Sequence, residues 1–166
     1  MRQTLLAVLL VVATASAADE PKPQWSGLLF KDTVEVLPNR VEKKLPQGPF
    51  VGGFVGDAKS FDRFLEVLGK AKAKPDPFWA EWKKSVNWEK EVVAFVVLKA
   101  QTNRLTFASC EPGKGSATLA VKWSGIEPFY VEAFPAVFVR VERGDNQRIK
   151  FRIDDAELGE VAIKKE

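Results

Sequence analysis

The chain has 166 residues, with 25 basic and 22 acidic side chains, no histidine and one cysteine. Lack of histidine removes Ser-His-Asp and Cys-His nucleophile machinery and the usual zinc sites, and Cys110 alone cannot form a disulfide within the chain. A net charge of +3 is too small to imply an obligatory anionic partner, while 46% apolar residues suffice for the core of one domain.

At the N-terminus, Met1-Arg2 precedes an apolar run from Leu5 to Ala13 and the small residues Ala15-Ser16-Ala17. This is the pattern of a secretory signal peptide over residues 1–17, cleaved after Ala17; the run is too short to span a bilayer. Loss of Arg2 takes the net charge from +3 to +2. Residues 18–24 carry two prolines and read as a flexible leader. Residues 25–166 then form one globular α+β domain, secreted or periplasmic, with no membrane span after cleavage.

In chain order, Thr33–Leu37 alternates Val34 and Val36 against polar neighbours and predicts a strand. Arg40–Pro49 reads as a charged connector, and Phe50–Val55 as a second strand, with Gly52-Gly53 marking a bulge or a close backbone approach. The glycines before the next helix do not cradle a phosphate: Gly52, Gly53 and Gly56 lack the dinucleotide spacing, and Asp57 stands where a Walker loop needs lysine. Instead Asp57 or Ser60 caps a helix over Ser60–Lys70, with Phe61, Phe64, Leu65 and Leu68 on one stripe and Gly69 as its C-cap. Trp79, Trp82 and Trp88 follow close together. Secreted aromatic clusters can stack on sugars, but the three-residue spacing of Trp79 and Trp82 favours packing onto the sheet.

Val92–Leu98 is continuously apolar and β-branched, as in a central strand covered on both faces. "RLTFASC" and "SATLAVKW" predict a hairpin with Leu119, Val121 and Trp123 inward. "AVFVRVER" and "QRIKFRI" predict another around Gly144-Asp145-Asn146, pairing Val141 with Ile149 and Val139 with Phe151. Its outer face would then hold a basic stripe of Arg140, Arg148, Lys150 and Arg152, suited to an acidic partner surface or simply to solvent and edge protection. No nucleic-acid motif accompanies it. Asp154-Asp155 is expected to cap a short turn over Ala156–Leu158.

No Ser-x-x-Lys or Gly-x-Ser-x-Gly occurs, and no cofactor or metal is implied. A hydrolytic carboxylate pair would have to come from Glu111, Glu127, Glu132, Asp154 and Asp155. The order "SFDRFLEVLG", a charged loop, "VNWEKEVVAFVVLKAQTNRLTF" and "EPFYVEAFPAVFVRV" resembles the C-terminal domain of PrcB-type proteins, exported factors associated with a protease complex. Asn87–Glu91 matches that family's acidic-aromatic step into a buried strand, and Pro128-Phe129-Tyr130 with Pro135 its late segment; Asn103-Arg104-Leu105 departs from the family's Gly-Gly-Tyr. The resemblance implies a protein partner and no catalytic residue.

The expected molecule is therefore α+β, a mostly antiparallel sheet with one main amphipathic helix on one face. The expected function is that of an exported, non-catalytic interaction protein, with candidate contacts at Arg140, Arg148, Lys150, Arg152, Trp79 and Trp82. The alternatives are a carbohydrate-binding module using Trp79, Trp82 or Trp123, and a carboxylate-pair hydrolase.

Overall fold

The computed structural model describes residues 24–46, 48–71, 77–100, 103–126 and 133–163. In chain order the elements are β1 (Gln24–Phe30), α1 (Lys31–Glu35), β2 (Arg40–Leu45), β3 (Gly48–Val55), α2 (Ala58–Ala71), α3 (Pro77–Ser85), β4 (Glu91–Leu98), β5 (Asn103–Gly113), β6 (Ser116–Ile126), β7 (Ala133–Glu142), β8 (Arg148–Ile153) and β9 (Ala156–Ala162). The strands form a five-stranded sheet of order β1-β7-β4-β3-β2 and a four-stranded sheet of order β5-β6-β8-β9. All pairings are antiparallel except β6 with β8. The α+β architecture and the main helix against one sheet face are as the sequence predicts, with a second sheet covering the opposite face.

β4 explains the layering, because every one of its residues is buried. Val92, Ala94, Val96 and Leu98 join a core between the sheets with Phe50, Phe54, Val137, Val139, Leu119, Val121, Ile149 and Phe151. Val93, Phe95 and Val97 join a second core with Val51, Val55, Phe138 and the helical Phe61, Phe64, Leu68, Trp79 and Trp82. Successive strand residues point to opposite faces, so the unbroken apolar run follows from a middle position among helices, sheet and sheet. Gly52 and Gly53 mark a close approach and not a bulge. A Cβ on Gly52 would lie 2.7 Å from the Phe151 ring, and one on Gly53 would lie 2.5 Å from Phe95 Cζ.

α2 starts as expected. Asp57 Oδ1 accepts the Ser60 N–H at 2.8 Å and Oδ2 accepts the Ser60 hydroxyl at 2.8 Å, occupying donors that the first turn leaves free. Gly69, expected as the C-cap, lies inside the helix, which continues to Ala71.

Four local expectations are corrected. Thr33–Leu37 is not a strand: α1 covers most of it, and Thr33, Val34 and Leu37 are buried at helical spacing, with the Thr33 hydroxyl donating to the Phe30 carbonyl at 2.7 Å. Arg40–Pro49 is no connector, since Arg40–Leu45 pairs with β3 as an edge strand whose side chains are mostly exposed on both faces. Asp154-Asp155 turns β8 into β9, which replaces the expected C-terminal turn with a strand that begins by pairing Ala156 with Ile153. Most consequentially, β7 and β8 are not paired: β7 lies between β1 and β4, and β8 between β6 and β9 in the other sheet.

Candidate functional site

The broken hairpin separates the predicted basic stripe. Arg140 stands two positions after Phe138 and so shares its face, the helix side of the first sheet, where its Nε and Nη2 donate to Glu91 Oε1 at 3.2 Å and Oε2 at 2.5 Å. Arg148, Lys150 and Arg152 stay together, exposed on the outer face of β8. Their neighbours on β9 include Glu160, opposite Lys150, and Glu157, opposite Arg152. Arg148 Nη1 donates to Glu160 Oε1 at 2.7 Å, so the remaining column is partly neutralised along one side.

Trp79 and Trp82 are 1% and 3% exposed. They stack within the helix-side core, Trp79 lying 4.6 Å from Trp25 and 5.2 Å from Phe138 between ring centroids. The packing reading holds, and neither ring face is open to a sugar. Trp123 is half-buried against the inter-sheet core. Glu111, Asp154 and Asp155 are exposed; Glu127, Glu132 and the Pro128-Phe129-Tyr130 segment lie outside the described residues.

What the structure does assemble is an open cleft of about 960 Å³, at the end of the first sheet where β3 leaves, β4 enters and β7 finishes. Its wall is the Asn87–Glu91 turn joining α3 to β4. Asn87 organises that turn: its carbonyl accepts the Lys90 and Glu91 N–H groups at 2.9 and 2.7 Å, and its Oδ1 accepts the Glu89 N–H at 3.2 Å. Glu91 Oε2 returns to accept the Asn87 N–H at 2.9 Å. The turn sets Trp88 half-buried on the cleft, with its ring 5.4 Å from Phe61. Asn39, Asn146, Asp57, Glu142 and Arg143 complete the polar lining.

Arg143 bridges the strands of this end. Nε donates to the Glu91 carbonyl at 3.3 Å and Nη2 to the Gly56 carbonyl, while its own N–H donates to the Lys90 carbonyl at 2.7 Å. A guanidinium has five N–H donors. Those two side-chain bonds go to neutral carbonyl acceptors. Slight burial works to raise the Asp57 carboxyl, but hydrogen bonds from Ser60 and the Lys59 N–H outweigh it and hold it below its ordinary value. Asp57 is thus a fixed negative charge at the rim.

Sequence reasoning singled out neither Arg143 nor the cleft. Arg143 follows the last strand residue before a Gly-Asp-Asn turn and looks like a solvated loop charge; its side-chain acceptors are 52 and 87 positions away. Trp88 was within reach, since it belongs to the acidic-aromatic step and departs from the Trp79 and Trp82 helical spacing.

A scan against protein-family models, a search of curated proteins and a search of solved structures each returned no match to this chain. Among the described residues, no helix is long and apolar enough to cross a membrane.

Proposed function

We propose that this is an exported, non-catalytic interaction protein that binds another protein through the cleft, with a protease or envelope complex as the partner class. The observation that carries the reading is the pairing of a half-buried tryptophan with a main-chain-anchored arginine on one open concavity. Tryptophan and arginine are the side chains most enriched where protein interfaces concentrate their binding energy. The Asn87–Glu91 wall is also the step on which the resemblance to PrcB-type proteins rests, which supports a protein partner. The exposed Arg148, Lys150 and Arg152 column is the competing contact surface.

The test is affinity capture from the host's extracytoplasmic extract with residues 18–166 as bait, beside two variants first shown to be folded by circular dichroism. One is Trp88→Ala; the other combines Arg148→Glu, Lys150→Glu and Arg152→Glu. A protein retained by the charge-reversed bait and lost from Trp88→Ala supports the cleft, the opposite pattern moves the contact to β8, and no enriched protein counts against the proposal. A second reading, glycan binding, draws on Trp88 beside the amides of Asn39, Asn87 and Asn146. It requires quenching or enhancement of Trp88 fluorescence by oligosaccharides, lost in Trp88→Phe.

A further inference from the structure

We propose that the outer face of the second sheet is a separate docking surface, which takes an extended acidic segment of a partner polypeptide with carboxylates at every second residue. It stands apart from the cleft and does not depend on it. The face is built by alternation. Ile149, Phe151 and Ile153 on β8 and Leu119 and Val121 on β6 turn into the inter-sheet core, so Arg148, Lys150 and Arg152 on one strand and Ser116, Thr118, Ala120 and Lys122 on the other turn outward. The two strands run parallel, with Ser116, Thr118 and Ala120 directly beside Arg148, Lys150 and Arg152. A row of short side chains beside a row of long cationic ones makes a shallow trough. Lys122, one outward position beyond Ala120, carries the positive charge past Arg152.

Most of this charge is uncommitted. Arg148 Nη1 donates to Glu160 Oε1, but among the described residues Lys150, Arg152 and Lys122 make no side-chain hydrogen bond or ion pair, and all three are exposed. Sign calls for an anion, and spacing chooses its form. Alternate residues of a strand stand about 6.6–6.8 Å apart. That is the repeat of Arg148, Lys150 and Arg152, and an extended peptide laid along the trough presents every second side chain at the same repeat. The Ser116 and Thr118 hydroxyls can bond its main chain. Acidic side chains fence the face: Glu111 lies opposite Thr118 on β5, and Glu160 and Glu157 lie opposite Lys150 and Arg152 on β9. A uniformly charged polymer meets those carboxylates as like charges. An extended peptide is two-sided, so carboxylates at alternate positions can all turn to β8 while the intervening uncharged residues turn to β5 and Glu111.

The probes are two end-blocked heptapeptides of identical glutamate and threonine content, one with glutamate at every second position and one with its glutamates contiguous, beside a linear polyphosphate of matched net charge. Each is titrated at low ionic strength into isotopically labelled residues 18–166 and followed by amide chemical shifts, with every variant checked first by urea unfolding. The alternating peptide should bind more tightly than its isomer and than polyphosphate, should move the amides of β6 and β8 and not those of the Asn87–Glu91 turn, and should release as salt is raised. Lys150→Gln combined with Arg152→Gln should weaken it about fivefold. Glu160→Gln, which frees Arg148, should tighten it about twofold, a gain that damage to the fold cannot mimic. Glu111→Gln should narrow the preference between the isomers. Absence of binding by the alternating peptide, or affinity indifferent to Lys150 and Arg152, overturns the surface. Equal affinity for the two isomers, or tighter binding of polyphosphate, overturns the extended acidic segment as its occupant.

Discussion

Glu91 is a carboxylate at the entrance of a strand that is otherwise wholly apolar, and it is only 9% exposed. Its oxygens are satisfied by hydrogen bonds: Arg140, one step diagonally across on β7, delivers two and the Asn87 N–H a third. Removing one partner strands the other in a poorly solvated place. Arg140→Ala should lower unfolding free energy by about 3 kcal/mol, whereas Arg140→Met with Glu91→Leu should recover most of it; both are read from urea midpoints. At the end of α1, Glu35 is held below its ordinary value chiefly by a hydrogen bond from Lys99, opposed by slight burial and aided by the Lys99 charge and by Arg40. Asp57 is depressed as well. A carboxyl depressed by folding contributes stability above its unfolded value, and the contribution fades as pH falls through the folded value. The urea midpoint should therefore decline below about pH 4.5, and Asp57→Asn, which keeps a capping oxygen, should flatten part of that decline.

Element by element, what could be read from the sequence was set by how many faces of a segment are covered. β4 and α2 have strong signatures, one apolar on both sides and the other amphipathic, and both were predicted nearly to their ends. β2 defied prediction because an exposed edge strand imposes no apolar alternation. α1 was misread because Val34 and Val36 alternate, while the burial that decides its geometry comes from Thr33, Val34 and Leu37. The false β7–β8 hairpin had a warning in the text: "AVFVRV" is apolar on both faces, as its burial bears out, whereas "RIKFRI" alternates strictly. The two strands belong to different sheets, one a middle layer and the other an outer one, and nearness in sequence outweighed that mismatch. The cleft was illegible because its parts come from three strands far apart in sequence, β3, β4 and β7, and from the junctions around them. At this scale Gly52→Ala is informative. The added methyl meets the Phe151 ring across the inter-sheet core, and should cost about 1–3 kcal/mol, partly restored by Phe151→Leu. Gly159→Ala should also destabilise, since that residue has φ 136° and a Cβ there would lie 3.0 Å from Val41.

In the whole molecule, the first sheet is shared by two cores, so neither the helices nor the second sheet has an independent foundation. Phe151→Ala, confined to the inter-sheet core, should cost about 3–5 kcal/mol, and the buried Trp79 and Trp82 on the far side should lose their native fluorescence at the same urea concentration as the far-UV signal. Two separated transitions would show that the layers melt independently. The strand order also governs how the chain can arrive at this state. Among the described strands β1 pairs with β7 alone, more than a hundred positions later, and the path runs from the second sheet through β7 and back to β8. A chain emerging amino-terminus first cannot complete the first sheet until β7 is out, and cannot complete the second until β9 is out. Meanwhile "VVAFVVL", uncharged and β-branched, stands uncovered, the composition most prone to intermolecular pairing. Such non-local closure is slow, and it leaves this apolar strand open to intermolecular pairing for as long as β7 is awaited.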